Sequence, residues 1–495
     1  MAGGWCFIED RGQIMNPEQV DNSISGQGIL ISFYGDDFTG TAATAEALTQ
    51  SGLPTVIFTE PPSPSYLERH FPRVRAVGIS GTARTLPAKA LPQVLSPVFV
   101  SLKAYQSPIY IYKVCSTFDS SKNVGNIGRA IELGSEIFSP DFIPILPAAP
   151  KLGRYTIFGN HFAAVGDGEV FRLDRHPSMA SHPVTPMGEA DLRQHLSHQT
   201  KLNSGLVNIL EVAEGPQRIN SRIDEHLAAD AALIFFDCLS DEDLNTVCET
   251  VFKRTYGARS LFFVGSQELG YGLTAALRQT GVLSTHAGFD PAEKAGEDRG
   301  PILVVSGSCA TVTGEQILWA KNRGFHDYPI YPQNLLDPAQ RSTAREHLVA
   351  SAIDMLNEGK SVILHTAIGP DDERIPSMNR TIDQLSLTNS EANDILGGEL
   401  GAAVLEILSG SAVKRVAISG GDTAGRIQKM LQVEALQISR SIGIAAPLCY
   451  VYSRLPEING LEVAFKGGQI GSPDYFNQAE RARTLDFKAA ALGEI

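Results

Sequence analysis

Short, unbroken apolar runs alternate along this chain with longer stretches of helical spacing. The first run, Gly28 to Tyr34, ends at Gly35, Asp36 and Asp37, and Thr39 to Ser51 then reads as a helix. Thr55–Phe58, Val74–Ser80, Pro108–Lys113 and Phe142–Leu146 read as the next strands, and Ala231–Asp237 and Ser260–Val264 carry the pattern on. These runs do not alternate with polar residues, so both faces of each strand are expected to be buried. That is the mark of a parallel sheet with helices on either side.

The pattern breaks at residues 284–300, a polar stretch rich in glycine, alanine and charge, and then restarts. Pro301–Val305, Lys360–His365 and Arg415–Ser419 read as strands, and Gly314–Asn322, Leu400–Leu408 and Thr423–Leu431 read as helices. At 495 residues the chain is too long for one ordinary core. The reading is α/β, with two α/β domains of mainly parallel sheets. An extension covers 1–27, the first domain 28–283, a linker 284–300 and the second domain 301–495. The cleft between the domains is the default ligand site.

Charge and composition narrow the partners. Lys and Arg total 41 against 55 Asp and Glu, for a net charge of -14. Duplex binding calls for a basic face, so nucleic acid is not an expected partner. A small anionic ligand remains allowed, because local cations override the global field at short range. The six cysteines form no CxxC pair, so neither a zinc knuckle nor a disulfide framework is expected. The chain opens without a basic-then-apolar leader, and no apolar run approaches the roughly 20 residues of a membrane helix. A cytoplasmic protein without a membrane partner is the expectation.

Candidate chemistry gathers at strand ends. Arg415–Ser419 runs into Gly420, Gly421, Asp422 and Thr423 before a helix. Glycines let backbone N–H groups approach a phosphate, and a helix N-terminus adds partial positive charge. A tight turn capped by Asp422 or Thr423 is the competing reading. The run Val304–Thr313 offers Ser308 in a similar place, and Lys466, Gly467 and Gly468 suit a loop wrapped over phosphates, with Lys466 supplying charge. Three such loops in one domain favour a nucleotide. The loops match neither a Walker A motif nor the GxGxxG of a dehydrogenase.

The first domain places Asp36 and Asp37 after its first strand, where open α/β sheets bind ligands. Either could hold a hydroxyl or accept its proton, and one could cap the next helix. Arg84 could clamp a carboxylate, and Lys113, Ser116 and Thr117 could form an anion and hydroxyl pocket. Cys115 has no identifiable histidine partner, so a nucleophile is not expected there. His161, His176 and His182 have no diagnostic zinc spacing; a solvent loop is the first reading, a substrate-lining loop the second and a zinc cluster the third.

Taken together, these motifs resemble the four-carbon acid sugar kinase family, long known only as a domain of unknown function. Its A-D-D-F-T-G-A signature corresponds to residues 35–41, its T-R element to Ala83 and Arg84, and its nucleotide loops to 307–309, 420–423 and 466–468. The resemblance spans nearly the whole chain after residue 27. It implies ATP, with Mg²⁺, as phosphoryl donor and the terminal hydroxyl of a short sugar acid as acceptor. It also implies that Asp36, Arg84 and the segment from Lys113 through Cys115 to Thr117 contact the acid. Ser308, Gly420 to Thr423, and Gly467 would contact ATP.

One segment departs from the family. The pattern K-x-D-S-T-L-R-G reads here Lys113, Val114, Cys115, Ser116, Thr117, Phe118, Asp119, Ser120. A cation is lost and an anion gained, which changes the acid preferred. The segment is similar to that of a divergent subgroup acting on the branched acid 3-oxo-isoapionate. A 3-oxo acid of this or the tetronate type is the expected acceptor; erythronate or threonate is the alternative, and a non-catalytic sugar-acid and nucleotide sensor is the alternative of another class. A homodimer is a further expectation.

Overall fold

The computed structural model describes residues 28–165, 168–181, 184–257, 260–283, 300–443 and 445–482, with Asp422 described by its backbone alone. The expected extension over 1–27 and nearly all of the expected linker lie outside these residues.

The strands of the first half are β1 (Ile31–Gly35), β2 (Thr55–Phe58), β3 (Ala76–Ser80), β4 (Ile109–Lys113), β5 (Ile143–Leu146), β6 (Arg154–Ile157), β7 (Asn160–Val165), β8 (Glu169–Arg172), β9 (Ser204–Val207), β10 (Leu233–Phe236) and β11 (Leu261–Gly265). Those of the second half are β12 (Leu303–Ser306), β13 (His326–Pro329), β14 (Val362–His365), β15 (Arg415–Ser419), β16 (Val433–Gly443), β17 (Ala446–Ser453) and β18 (Glu462–Lys466). Every strand expected from an apolar run is present. The fold is α/β with a mainly parallel sheet.

The two halves share one sheet. Its 15 strands run β13-β14-β12-β15-β18-β17-β16-β2-β3-β1-β4-β11-β5-β10-β9. The join is antiparallel, with Ala435, Leu436 and Gln437 of β16 opposite Phe58, Ile57 and Val56 of β2. The β16–β17 hairpin and its pairing with β18 are antiparallel as well. The pattern did not announce this hairpin, because β16 mixes polar with apolar residues instead of forming an unbroken apolar run. A separate small sheet, β6-β7-β8, is also antiparallel.

The helix Phe38–Gln50 sits at the seam. Its side chains from Thr41 to Thr49 are small or apolar apart from Glu46, and all are buried. It is therefore enclosed on all sides, as a helix without a polar face must be. Phe38, Ala42, Ala45 and Leu48 share a core with Leu436, Ile438 and Cys449 of the second half. Among the described residues no helix is long and apolar enough to cross a membrane.

Candidate active site

β1 lies between β3 and β4, all parallel, with Gly35 level with Ser80 on one side and with Lys113 on the other. The loops that follow thus leave the sheet at one height. The Asp36 N–H donates to the Lys113 carbonyl and the Arg84 N–H to the Asp36 carbonyl, each at 3.1 Å. The side chains then close on one another. Arg84 donates to both Asp36 oxygens, from Nη2 at 2.9 Å and Nε at 3.2 Å, and its Nη2 stands 3.0 Å from Asp37 Oδ1. Lys113 Nζ is 2.8 Å from Asp37 Oδ1 and 3.4 Å from Asp36 Oδ1. Two cations and two carboxylates form a neutral quartet.

Asp37 also caps the helix Phe38–Gln50, accepting from the Gly40 N–H at 3.1 Å and from Thr39 Oγ1 at 2.8 Å. A methyl group on Gly40 would collide with Lys113 Nζ and Asp37 Oδ1, so a side chain there would displace the lysine from the carboxylates. The neighbouring carboxyls are pushed apart. Burial raises Asp36 above the ordinary carboxylate range, and Arg84 and Lys113 offset this only in part. Burial acts likewise on Asp37, but Arg84, Lys113 and the hydrogen bonds from Lys113 and Thr39 outweigh it, so that its carboxyl falls well below the range. Such a pair divides into a proton acceptor and a permanent anion. Arg84 and Lys113, the candidates for a ligand carboxylate, pair here with Asp36 and Asp37, which the adjacent strand ends bring within reach.

The departing segment follows β4. Cys115 Sγ lies 3.0 Å from Thr117 Oγ1, which donates to Asp119 Oδ1 at 2.6 Å. Burial and the Asp119 charge push the Cys115 thiol up, which suits packing and not nucleophilic attack. The Ser116 carbonyl meets His161 Nε2 at 2.7 Å, and His161 Nδ1 is 3.0 Å from Thr156 Oγ1. His161 is thus a buried residue of β7 and not a solvent-loop residue, and burial pushes its pKa down to about 4. His176 is buried too, its Nδ1 accepting from the Ser178 and Met179 N–H groups. His182 lies outside the described residues. Among the described residues no group of three or more His, Cys, Asp or Glu side chains could hold a metal ion by itself.

The second half repeats the strand-end device. β15 lies between β12 and β18 in parallel, with Ser419 level with Ser306 and with Lys466. The Gly307 N–H donates to the Ser419 carbonyl at 3.2 Å and the Gly420 N–H to the Lys466 carbonyl at 3.1 Å. Gly420 has φ 108°, a region that favours glycine, and the helix Gly421–Met430 starts directly after it. Ser308 Oγ accepts from the Ala310 N–H at 3.2 Å, and a methyl group on Gly468 would come 2.4 Å from that oxygen. The 307–309, 420–423 and 467–468 loops therefore crowd one spot. The side chain of Asp422 lies outside what the structure describes.

Lys466 differs from its expected place. It ends β18 and is fully buried beneath the loop, with Nζ donating to Ser419 Oγ at 2.9 Å and Thr313 Oγ1 at 3.0 Å. Strand geometry fixes that inward direction before the glycines begin. Burial pushes its pKa down to about 7. Ser419 leads into the glycine loop and Thr313 closes the Val304–Thr313 run, so the lysine ties two of the candidate loops together. The two clusters meet: a methyl group on Gly421 would come within 4.0 Å of Thr39 Oγ1.

Comparison with known proteins fits this division. Residues 31–273 match a family model described as a sugar-binding N-terminal domain, and residues 303–476 one described as a nucleotide-binding C-terminal domain. The chain is 38% identical to the 3-oxo-isoapionate kinase of Paraburkholderia graminis, over 92% of this chain and 95% of that one. It is 28% identical to the 3-oxo-tetronate kinase of Cupriavidus necator, over 91% and 96% of the two chains. Among solved structures, a Salmonella typhimurium protein provisionally described as a tRNA synthase superposes with a TM-score of 0.74 at 22% identity, covering 91% of this chain and 98% of that one. A Haemophilus influenzae protein from a domain family of unknown function gives 0.68 at 23% identity, covering 91% and 99%. These last two likenesses show the fold alone. The chain belongs to the family that joins a sugar-binding N-terminal domain to a nucleotide-binding C-terminal domain, the four-carbon acid sugar kinases.

Proposed function

We propose that this protein is an ATP-dependent kinase that phosphorylates the terminal hydroxyl of a short sugar acid, with a 3-oxo acid of the isoapionate or tetronate type as acceptor. Residues 28–283 would hold the acid and 301–495 the nucleotide. The observation that carries the reading is the meeting of the two clusters, with Thr39 beside Gly421. A hydroxyl held near Asp36 and Asp37 and a terminal phosphate held on the Gly420–Thr423 loop would be neighbours. Both clusters come from one chain, so the reading does not require a dimer.

The nucleotide half suits a triphosphate. It offers the Ser308 hydroxyl, two helix N-termini and the buried Lys466 amino group at one spot. Mg²⁺ would be held chiefly by phosphate oxygens, as this ion commonly is, since the described side chains supply no cage for it. Its contribution would be charge neutralisation on the phosphates. On the acceptor side, Asp36 would take the hydroxyl proton as the oxygen attacks phosphorus. Asp37 would stay ionised and hold Lys113 and Arg84 in place. Catalysis of this kind is mostly positioning and electrostatics.

The test is ADP release from ATP with erythronate, threonate, 3-oxo-tetronate and 3-oxo-isoapionate in turn. A kinase gives acid-dependent ADP, highest with a 3-oxo acid. Binding of acid and ATP without ADP release would establish the sensor reading instead.

A further inference from the structure

A sugar acid brings a carboxylate, and a buried carboxylate needs a cation. Arg84 and Lys113 are already matched one to one by Asp36 and Asp37. Asp119 adds a further anion close by. The acceptor side of the site, as it stands, therefore lacks an uncommitted positive charge from the strand ends.

Arg154 supplies one. It opens β6 and is held by backbone bonds to Ala149 on one side and by pairing with Ala163 of β7 on the other. Its Nη1 donates to the carbonyls of Leu152 at 2.5 Å, Ala164 at 3.3 Å and Gly153 at 3.4 Å, which fixes the guanidinium plane. The opposite edge is different. Nε is buried and has no hydrogen-bond partner, and Arg154 has no ion-pair partner among the described residues. That Nε–Nη2 edge is one of the two faces with which arginine grips a carboxylate bidentately. A buried donor without a protein partner can take one from a ligand or an ordered water.

The small sheet sets Arg154 near the departing segment. His161 of β7 is bonded to the Ser116 carbonyl, and the Thr156 N–H and carbonyl of β6 exchange hydrogen bonds with Cys238 after β10. β6 and β7 are thus latched over the strand ends. Arg154 lies close enough to Cys115 and His161 for its charge to act on both.

We propose that Arg154 binds the carboxylate of the acceptor acid through its Nε–Nη2 edge, beside the Lys113–Ser120 segment. The inference rests on the kinase reading only for the identity of the ligand. In this chain it gives Arg154 the cationic role that the altered segment, with Asp119 in place of the family arginine, does not supply. Arg154 is thereby a substrate-binding residue that orients the acid so that its terminal hydroxyl faces Asp36.

The experiment compares wild type with Arg154→Gln and Arg154→Lys. Binding of erythronate, threonate and the two 3-oxo acids is measured by calorimetry without ATP, and KM and kcat by ADP release. Erythronamide and threonamide serve as neutral counterparts. The glutamine variant is expected to weaken acid binding by about 10- to 150-fold, the range for a hydrogen bond to a charged group. The lysine variant, which keeps the charge but not the fork, should fall between. KM for ATP and affinity for the amides should stay within about twofold, a margin of a few tenths of a kcal/mol. Equal losses for acids and amides would make Arg154 merely structural and overturn the proposal, as would unchanged acid affinity. Acid binding that depends on Arg154 without ADP release would sink the kinase reading and leave this one standing. A wild type that binds none of the four acids would sink both.

Discussion

The ring of Phe38 stands edge-on to the ring of Phe465, with centroids 4.5 Å apart and planes at 77°. Phe38 directly follows Asp37, and Phe465 directly precedes Lys466. One aromatic contact thus couples the carboxylate pair of the first half to the phosphate-side lysine of the second. Both rings are buried in the core that spans the seam. Phe38→Ala should cost about 3–5 kcal/mol of stability, the usual range for a buried phenylalanine. Because the lost contact lies between the two binding clusters, KM should rise for acid and ATP together. Thermal unfolding and two-substrate kinetics check this; a stable variant with KM changed for one substrate alone would refute the coupling.

Asp36→Asn should lower kcat by about 10²- to 10⁴-fold, the contribution typical of a general base. KM for ATP should change little. In the wild type the acid limb of the pH–rate profile should lie above the ordinary carboxylate range, because burial raises Asp36. Activity then appears as pH rises and the carboxyl ionises. Steady-state ADP release across pH decides, and full activity in the asparagine variant would remove Asp36 from the chemistry.

Lys466 makes nucleotide binding proton-linked. Free of ligand, its pKa of about 7 leaves it mostly neutral at pH 8. A phosphate nearby favours the charged form and raises that pKa. ATP binding at pH 8 should therefore take up as much as about one proton, and Lys466→Met should take up fewer. Calorimetry in buffers of different ionisation enthalpy measures the number directly. Equal proton uptake in both proteins would contradict the prediction.

Glu46 gives the fold its own pH dependence. Its carboxyl is buried in the seam helix, and burial pushes its pKa from the ordinary 4.5 up to about 8 despite bonds from Ser441 and the backbone at Ala445 and Ala446. Between those values the folded chain keeps a proton that the unfolded chain has released. The stabilisation is full below about 4.5 and is lost as pH rises through about 8. Glu46→Gln carries no such proton, so its advantage over wild type should grow across that window. Chemical denaturation of both proteins at several pH values tests the slope, and parallel stability curves would rule it out.

The sequence was informative wherever chemistry sat at the end of an unbroken apolar run. The runs ending at Gly35, Ser80 and Lys113, and those ending at Ser306 and Ser419, place polar residues at one edge of a parallel sheet. A doubly covered strand needs apolar residues at every position, and that requirement is written locally. The family motifs are local in part, because a glycine such as Gly420 is favoured by its own backbone angle.

What the strand ends do to one another was decided only by the tertiary structure. Asp36, Arg84 and Lys113 are far apart in sequence, and their mutual neutralisation follows from the order β3-β1-β4. The direction of Lys466, the burial of His161 and the unpartnered edge of Arg154 likewise depend on which surfaces are brought over them. The joining of both halves into one sheet depends on an antiparallel β2–β16 pairing between strands about 380 residues apart. Backbone hydrogen bonds of that kind carry no side-chain signature. Residue type at each position is set by its own burial and backbone angles, whereas the pairing of charges and the meeting of two sites are set by contacts distant in the chain.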